Sequence, residues 1–137
     1  MKQLMKIYES IESVSDIDKR YPVAYSYMDN LEIKDDIPNT RSISASLTNY
    51  KVLDGIRLIP ASEFETDVRE LFYAASDIDK VYTIADQIKD NGWIKPLIAV
   101  YEKDGVYILE GGHRLPALVI AGYDKIPALV VIDMDNI

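Results

Sequence analysis

The chain has no cysteine. That excludes a disulfide framework, a cysteine nucleophile and any thiolate metal site. Positive charge is scarce: 15 Lys and Arg stand against 23 Asp and Glu, for a net charge of −8. Gripping a polyanion requires Lys and Arg to neutralise phosphates. The overall field therefore works against DNA as a direct non-specific ligand, while it keeps the chain in solution. No apolar run approaches the roughly 20 residues that cross a bilayer, so no membrane partner is expected. The start, Met1 to Ile7, carries two lysines but no apolar stretch behind them, which is not the pattern of a secretory signal. The expected location is the cytoplasm. Internal repeats and low-complexity tracts are absent.

What is present is an ordinary globular composition. The 137 residues are 48% hydrophobic and 28% charged, with ten Tyr and one Trp. This is enough for one domain with its own core. Leu4, Ile7, Tyr8, Ile11 and Val14 have helical spacing, and Ser15-Asp16 is expected to interrupt that helix. From Arg20 to Thr40 loop signals alternate with apolar residues. An irregular segment is expected there, packed on the body, with Tyr21, Tyr25 and Tyr27 as core filler. Ser42 to Tyr50 shows little periodicity. Residues 1–55 therefore read as an N-terminal extension and residues 56–137 as the main domain.

In the second part the punctuation is clear. Ile56 to Pro60 is a short strand, because proline cannot donate to a sheet ladder. Ser62 with Glu65 forms a potential capping box. Asp77 or Asp79 caps a helix with Val81, Ile84, Ala85 and Ile88 on one side. Gly92 ends it as a left-handed C′ residue. A strand from Trp93 to Tyr101, with Trp93 packed in the core, turns at Lys103-Asp104-Gly105 and returns as Val106 to Leu109. A helix from Leu115 to Ala121, with Pro116 in its first turn, is stopped by Gly122. Lys125 to Ile132 is the last strand. The layout is α+β, a small mixed sheet flanked by helices.

The residues that carry chemistry sit between the return strand and the following helix: Glu110, Gly111, Gly112, His113 and Arg114. Glycines let a phosphate approach the backbone. The first amides of a helix have no partner within it and attract anions. Arg114 offers a planar fork of donors. His113, the sole histidine, adds a donor or a group that titrates near neutrality.

Four ordered blocks extend this turn into a family resemblance. They are Ile56 to Phe64, Ile84 to Leu97, Tyr107 to Ala117, and Gly122 to Ala128. Together they resemble the ParB/sulfiredoxin-like superfamily. The resemblance implies nucleotide binding, with ATP or CTP and a magnesium ion as the expected ligands. It also marks departures. Where sulfiredoxins carry a catalytic cysteine, Gly112 stands here, so their chemistry is excluded. Where partitioning ParB proteins carry Gly-Glu-Arg-Arg, Gly112 and His113 replace the Glu and the first Arg. The turn also resembles that of small-molecule kinases in the superfamily.

The resemblance thus implies a nucleotide-dependent phosphotransferase or nucleotidase. A nucleotide-sensing or protein-interaction module is the first alternative, and a DNA-related regulator or nuclease the second. Gly111, Gly112, His113 and Arg114 are expected to hold the phosphates, with Lys95 and Arg57 as further ligands. His113 would donate to the transferring phosphoryl group. Glu65, Glu63 and Glu110 are the candidate general bases. A second small molecule or a protein partner is left open by this reading, as is the set of metal ligands.

Overall fold

The computed structural model describes residues 13–34, 36–64 and 75–137. In chain order, α1 is Val14–Arg20, β1 Val23–Ala24, β2 Tyr27–Met28, β3 Leu31–Ile33, α2 Arg41–Ser46, β4 Tyr50–Val52 and β5 Ile56–Pro60. A 3₁₀ turn, Ala61–Phe64, follows. Then come α3 at Ala75–Asn91, β6 at Trp93–Ile94, β7 at Leu97–Glu102, β8 at Gly105–Glu110, α4 at Arg114–Ile120 and β9 at Lys125–Asp133.

The main sheet has six strands in the order β1-β5-β9-β7-β8, with β4 joined to β9. The long β9 organises it. Its first half pairs antiparallel with β5 and its last three residues with β4, while its other edge runs parallel to β7. A smaller sheet, β2-β3-β6, has three strands. Helices and mixed sheets together make an α+β fold. β1 and β4, from the first 55 residues, are strands of the main sheet rather than a layer laid over it.

β7 explains the layering. Leu97 to Val100 are 0% exposed, the signature of a strand covered on both faces. Leu97, Ala99 and Tyr101 join a core with Val81, Ala85 and Ile88 of α3 and Leu115 and Leu118 of α4. Ile98 and Val100 join a second core with Ile43 and Leu47. So α2 and the residue after it cover the face opposite α3 and α4. The weak periodicity of Ser42 to Tyr50 hid this, because two apolar residues four apart suffice for a helix this short.

Several expectations change. Ser15 and Asp16 do not break a helix; they lie within α1. Ser13 is its N-cap, and its Oγ accepts from the Asp16 amide at 3.1 Å. The Asp16 carboxylate closes the capping box and is held below its usual pKa, chiefly by the Ser13 hydroxyl. The first part of the expected helix, residues 4–12, lies outside the described residues, as does Glu65. Ser62 sits inside the 3₁₀ turn. Asp77 and Asp79 fall in the first turns of α3, which begins at Ala75. Trp93 to Tyr101 is two strands in two sheets, split at Lys95-Pro96, since Pro96 has no amide to continue a ladder.

Tyr21 is core, but Tyr25 and Tyr27 are 85% and 62% exposed. In β2 the alternation of side chains sends Met28 inward and Tyr27 out. Gly92, by contrast, has φ 72° and closes α3 by donating to Ile88 O at 3.0 Å. The hairpin turn at Gly105 and the stop at Gly122 stand as expected.

Tyr21 also carries a pH prediction. Its hydroxyl donates to Glu63 Oε1 at 2.7 Å. Burial first, then the Glu63 carboxylate, push its pKa well above the ordinary value. The unfolded chain therefore releases this proton at lower pH than the folded one. Stability should be fully present below about pH 10, the unfolded value, and fall as pH rises above it. Urea unfolding of the wild type and Tyr21→Phe across that range checks this: the alkaline slope should be smaller in the variant.

Candidate functional site

The site is built where β8 ends. Gly111 has φ 95°, which side-chain-bearing residues rarely adopt. A Cβ there would stand 2.6 Å from Arg114 Nη2 and 2.9 Å from Leu97 Cγ. Glycine is thus required twice, by the backbone and by the arginine folded over it. Gly112 does not share the positive φ, so its backbone places no such demand. Gly111→Ala should displace the guanidinium and cost at least the roughly 1–2 kcal/mol of a left-handed residue. Gly112→Ala should be the milder change; chemical denaturation of the two variants separates them.

The Arg114 amide donates to Gly111 O at 3.0 Å, so one of the amides expected to face a phosphate is already used. α4 has seven residues and no side-chain cap bond from His113 at its N-cap position. Two turns of helix make a weak dipole. Anion recognition here falls to the side chains, Arg114 first. Its guanidinium is half-buried, and removal from water lowers its pKa, partly offset by the Glu110 carboxylate. Among the described residues it has no hydrogen bond or ion pair. Desolvation of a cation is costly; the Glu110 carboxylate offsets part of that cost, and an anion held by the guanidinium would offset more.

Three neighbouring hollows form the cleft; Arg114 lines the first two, and Glu110 joins the second to the third. The first is lined by Ile84, Gln87 and Asn91 of α3, by Trp93, Ile94 and Lys95, and by Arg114. The second is the turn itself, Glu110 to Arg114, walled by Ile84 and Pro38. The third holds Asn39, Thr40, Arg41 and Ser42 beyond Glu110. Arg114 and Ile84 are shared by the first two, and Glu110 by the last two.

The predicted site residues divide. Gly111, Gly112, His113, Arg114, Glu110 and Lys95 line the cleft. Lys95 is ion-paired to Asp36 at 2.9 Å on a half-exposed surface, a contact that a ligand could exchange. Glu110 accepts from Asn39 Nδ2 at 3.1 Å.

Glu63 and Arg57 are elsewhere. Glu63 lies beside Gly105 and Tyr107, at the opposite end of β8, about 17 Å along a strand of that length. The expectation that the opening strand brings it to the turn fails because the 3₁₀ turn leaves the sheet at the hairpin end. Arg57 is 5% exposed. It donates to Asp54 O at 3.0 Å, Asp18 O at 2.9 Å and Tyr21 O at 3.1 Å, and pairs with the Asp18 carboxylate. These contacts make it a structural tie, and it does not line the cleft.

Trp93 corrects in the other direction. It is half-exposed in the cleft, with Lys34 Nζ 5.6 Å from its ring centre, rather than packed in the core. Gln87, Asn91 and Arg41 had not been singled out. The spacing of Ile84, Gln87, Ile88 and Asn91 is one helix face, a signal that could have found the first two. Nothing local marks Arg41. Among the described residues, no group of three or more His, Asp or Glu could hold a metal ion.

Compared with known proteins, the chain matches one family model, the ParB N-terminal domain, over residues 46–136. No curated protein matches it, and no solved structure does.

Proposed function

Since the chain belongs to the ParB N-terminal domain family, we propose that its cleft binds a nucleoside phosphate, with Arg114 as the principal phosphate ligand. The observation that carries this is the half-buried guanidinium, folded over Gly111 and without a partner among the described residues. Its planar fork suits two phosphate oxygens at once. His113 and Lys95 line the same cleft and supply further donors. The apolar end at Trp93, Ile84 and Ile94 takes the base against a ring face, with the Gln87 and Asn91 amides within the same hollow to contact its edge.

A magnesium ion fits only as a companion of the nucleotide. It keeps most of its water and relies on phosphate oxygens plus one or two carboxylates, and Glu110 is the carboxylate in the cleft. Such an ion would neutralise phosphate charge.

One observation favours phosphoryl transfer or hydrolysis as a second step of the same site. Glu110 stands beside the turn, and Asn39 orients it. A carboxylate placed there can accept a proton from an attacking hydroxyl or water, and Arg114 can stabilise the charge that develops.

Calorimetric titration with ATP, CTP, GTP and ADP, each with magnesium, tests the binding. A saturable heat with at least one is expected; none with any of them removes the reading. Glu110→Gln then tests turnover with the nucleotide that binds. Retained affinity in the absence of magnesium, with lost product formation in its presence, is expected if Glu110 is the base.

A further inference from the structure

The third hollow, beyond Glu110, is walled by the turn from Asn39 to Ser42, which precedes the matched family domain at residues 46–136. We infer that Arg41 on this turn is a second anion ligand of the cleft and grips the terminal phosphates of a nucleoside di- or triphosphate. The inference rests on the proposed nucleotide reading and gives the ligand a direction.

The order of the hollows sets that direction. The apolar end is at Trp93, Arg114 lies between it and the turn, and Arg41 is at the polar end. A base at the Trp93 end and an inner phosphate on Arg114 send the outer phosphates past Glu110 towards Arg41. Arg41 is exposed, and its guanidinium has no ion pair or hydrogen bond among the described residues.

The turn that carries it is held in place. Asn39 has φ 59°, an uncommon conformation for a residue with a side chain. Its amide side chain donates to Glu110 Oε1 at 3.1 Å, and its carbonyl accepts from Ser42 Oγ at 2.7 Å. Just past Arg41, Ile43 and Leu47 are buried against Ile98, Val100 and Val131 of the sheet, with Ile37 packed alongside. The anchors on both sides fix Arg41 relative to the end of β8. A segment outside the family domain would thereby complete the site, and ligands with too few phosphates would not reach it.

Titrations of the full chain with the tri-, di- and monophosphate of the preferred base test this, for the wild type, Arg41→Ala and Arg41→Lys. Arg41→Ala should lose about 10- to 100-fold in triphosphate affinity, the scale of a charge-assisted contact, and little for the monophosphate. Arg41→Lys should fall between. Arg114→Ala should weaken all three ligands. An unchanged triphosphate-to-monophosphate ratio in a folded Arg41→Ala protein overturns the inference and leaves the nucleotide reading intact. Failure of the wild type to bind any of the three removes both.

Discussion

Arg114→Ala should weaken nucleotide binding by about 1.5–3 kcal/mol, the usual cost of losing a hydrogen bond to a charged partner, with little loss of folded stability. The two halves of this expectation come from one geometry. The guanidinium is half-buried and carries its charge in a place that lowers its pKa. In the free protein that is a cost, which the Glu110 carboxylate offsets only in part. Removing the charge relieves the cost, while trimming the side chain loses its packing over Gly111 and Leu97. These effects oppose each other, so the unfolding midpoint should move little. In the bound protein the same deletion removes the fork. Arg114→Lys keeps a charge but not the fork, and its affinity should lie between those of wild type and Arg114→Ala. Calorimetry beside a thermal melt gives both readouts. Unaltered affinity in a folded Arg114→Ala protein would show that the phosphate is held elsewhere.

Arg57→Met should do the reverse, costing about 1–3 kcal/mol of stability, the usual cost of leaving a buried acceptor such as the Tyr21 carbonyl without its donor, and leaving nucleotide affinity unchanged. Arg57 serves three carbonyls, those of Asp18, Tyr21 and Asp54. Two of these end α1 and lead into β1, so the arginine ties the N-terminal helix to the strand pair β1-β5. The paired Asp18 side chain is half-exposed and can rehydrate, so the ion pair itself adds little. Methionine retains the aliphatic stem and isolates the polar contribution. Urea midpoints and a titration of the same variant decide the matter. A stable variant that no longer binds nucleotide would return Arg57 to the site.

These two arginines show where reading along the chain succeeds and where it stops. Arg114 was legible because its neighbours are local: two glycines, a strand behind and a helix ahead. Arg57 stood on a strand in an equally plausible position, but two of its three carbonyl partners are 36 and 39 residues away in sequence. No local pattern announces a carbonyl that arrives from another element. The same holds for the carboxylates. Glu63 and Glu110 both lie near strand ends, yet one meets Tyr21 at the hairpin and the other meets Asn39 at the turn.

The sequence by itself determined the hairpin, the last helix and the last strand, the stops at Gly92, Gly105 and Gly122, the turn at Gly111, and the family. These rest on backbone conformations and spacings set within a few residues. Tertiary structure decided the rest. It turned Tyr25 and Tyr27 outward, buried Arg57, drew Trp93 into the cleft and brought Arg41 from before the family domain to face it. Each of those outcomes depends on which distant surface a side chain meets, and hydrophobic burial and long-range pairing leave no mark on the residues immediately beside it.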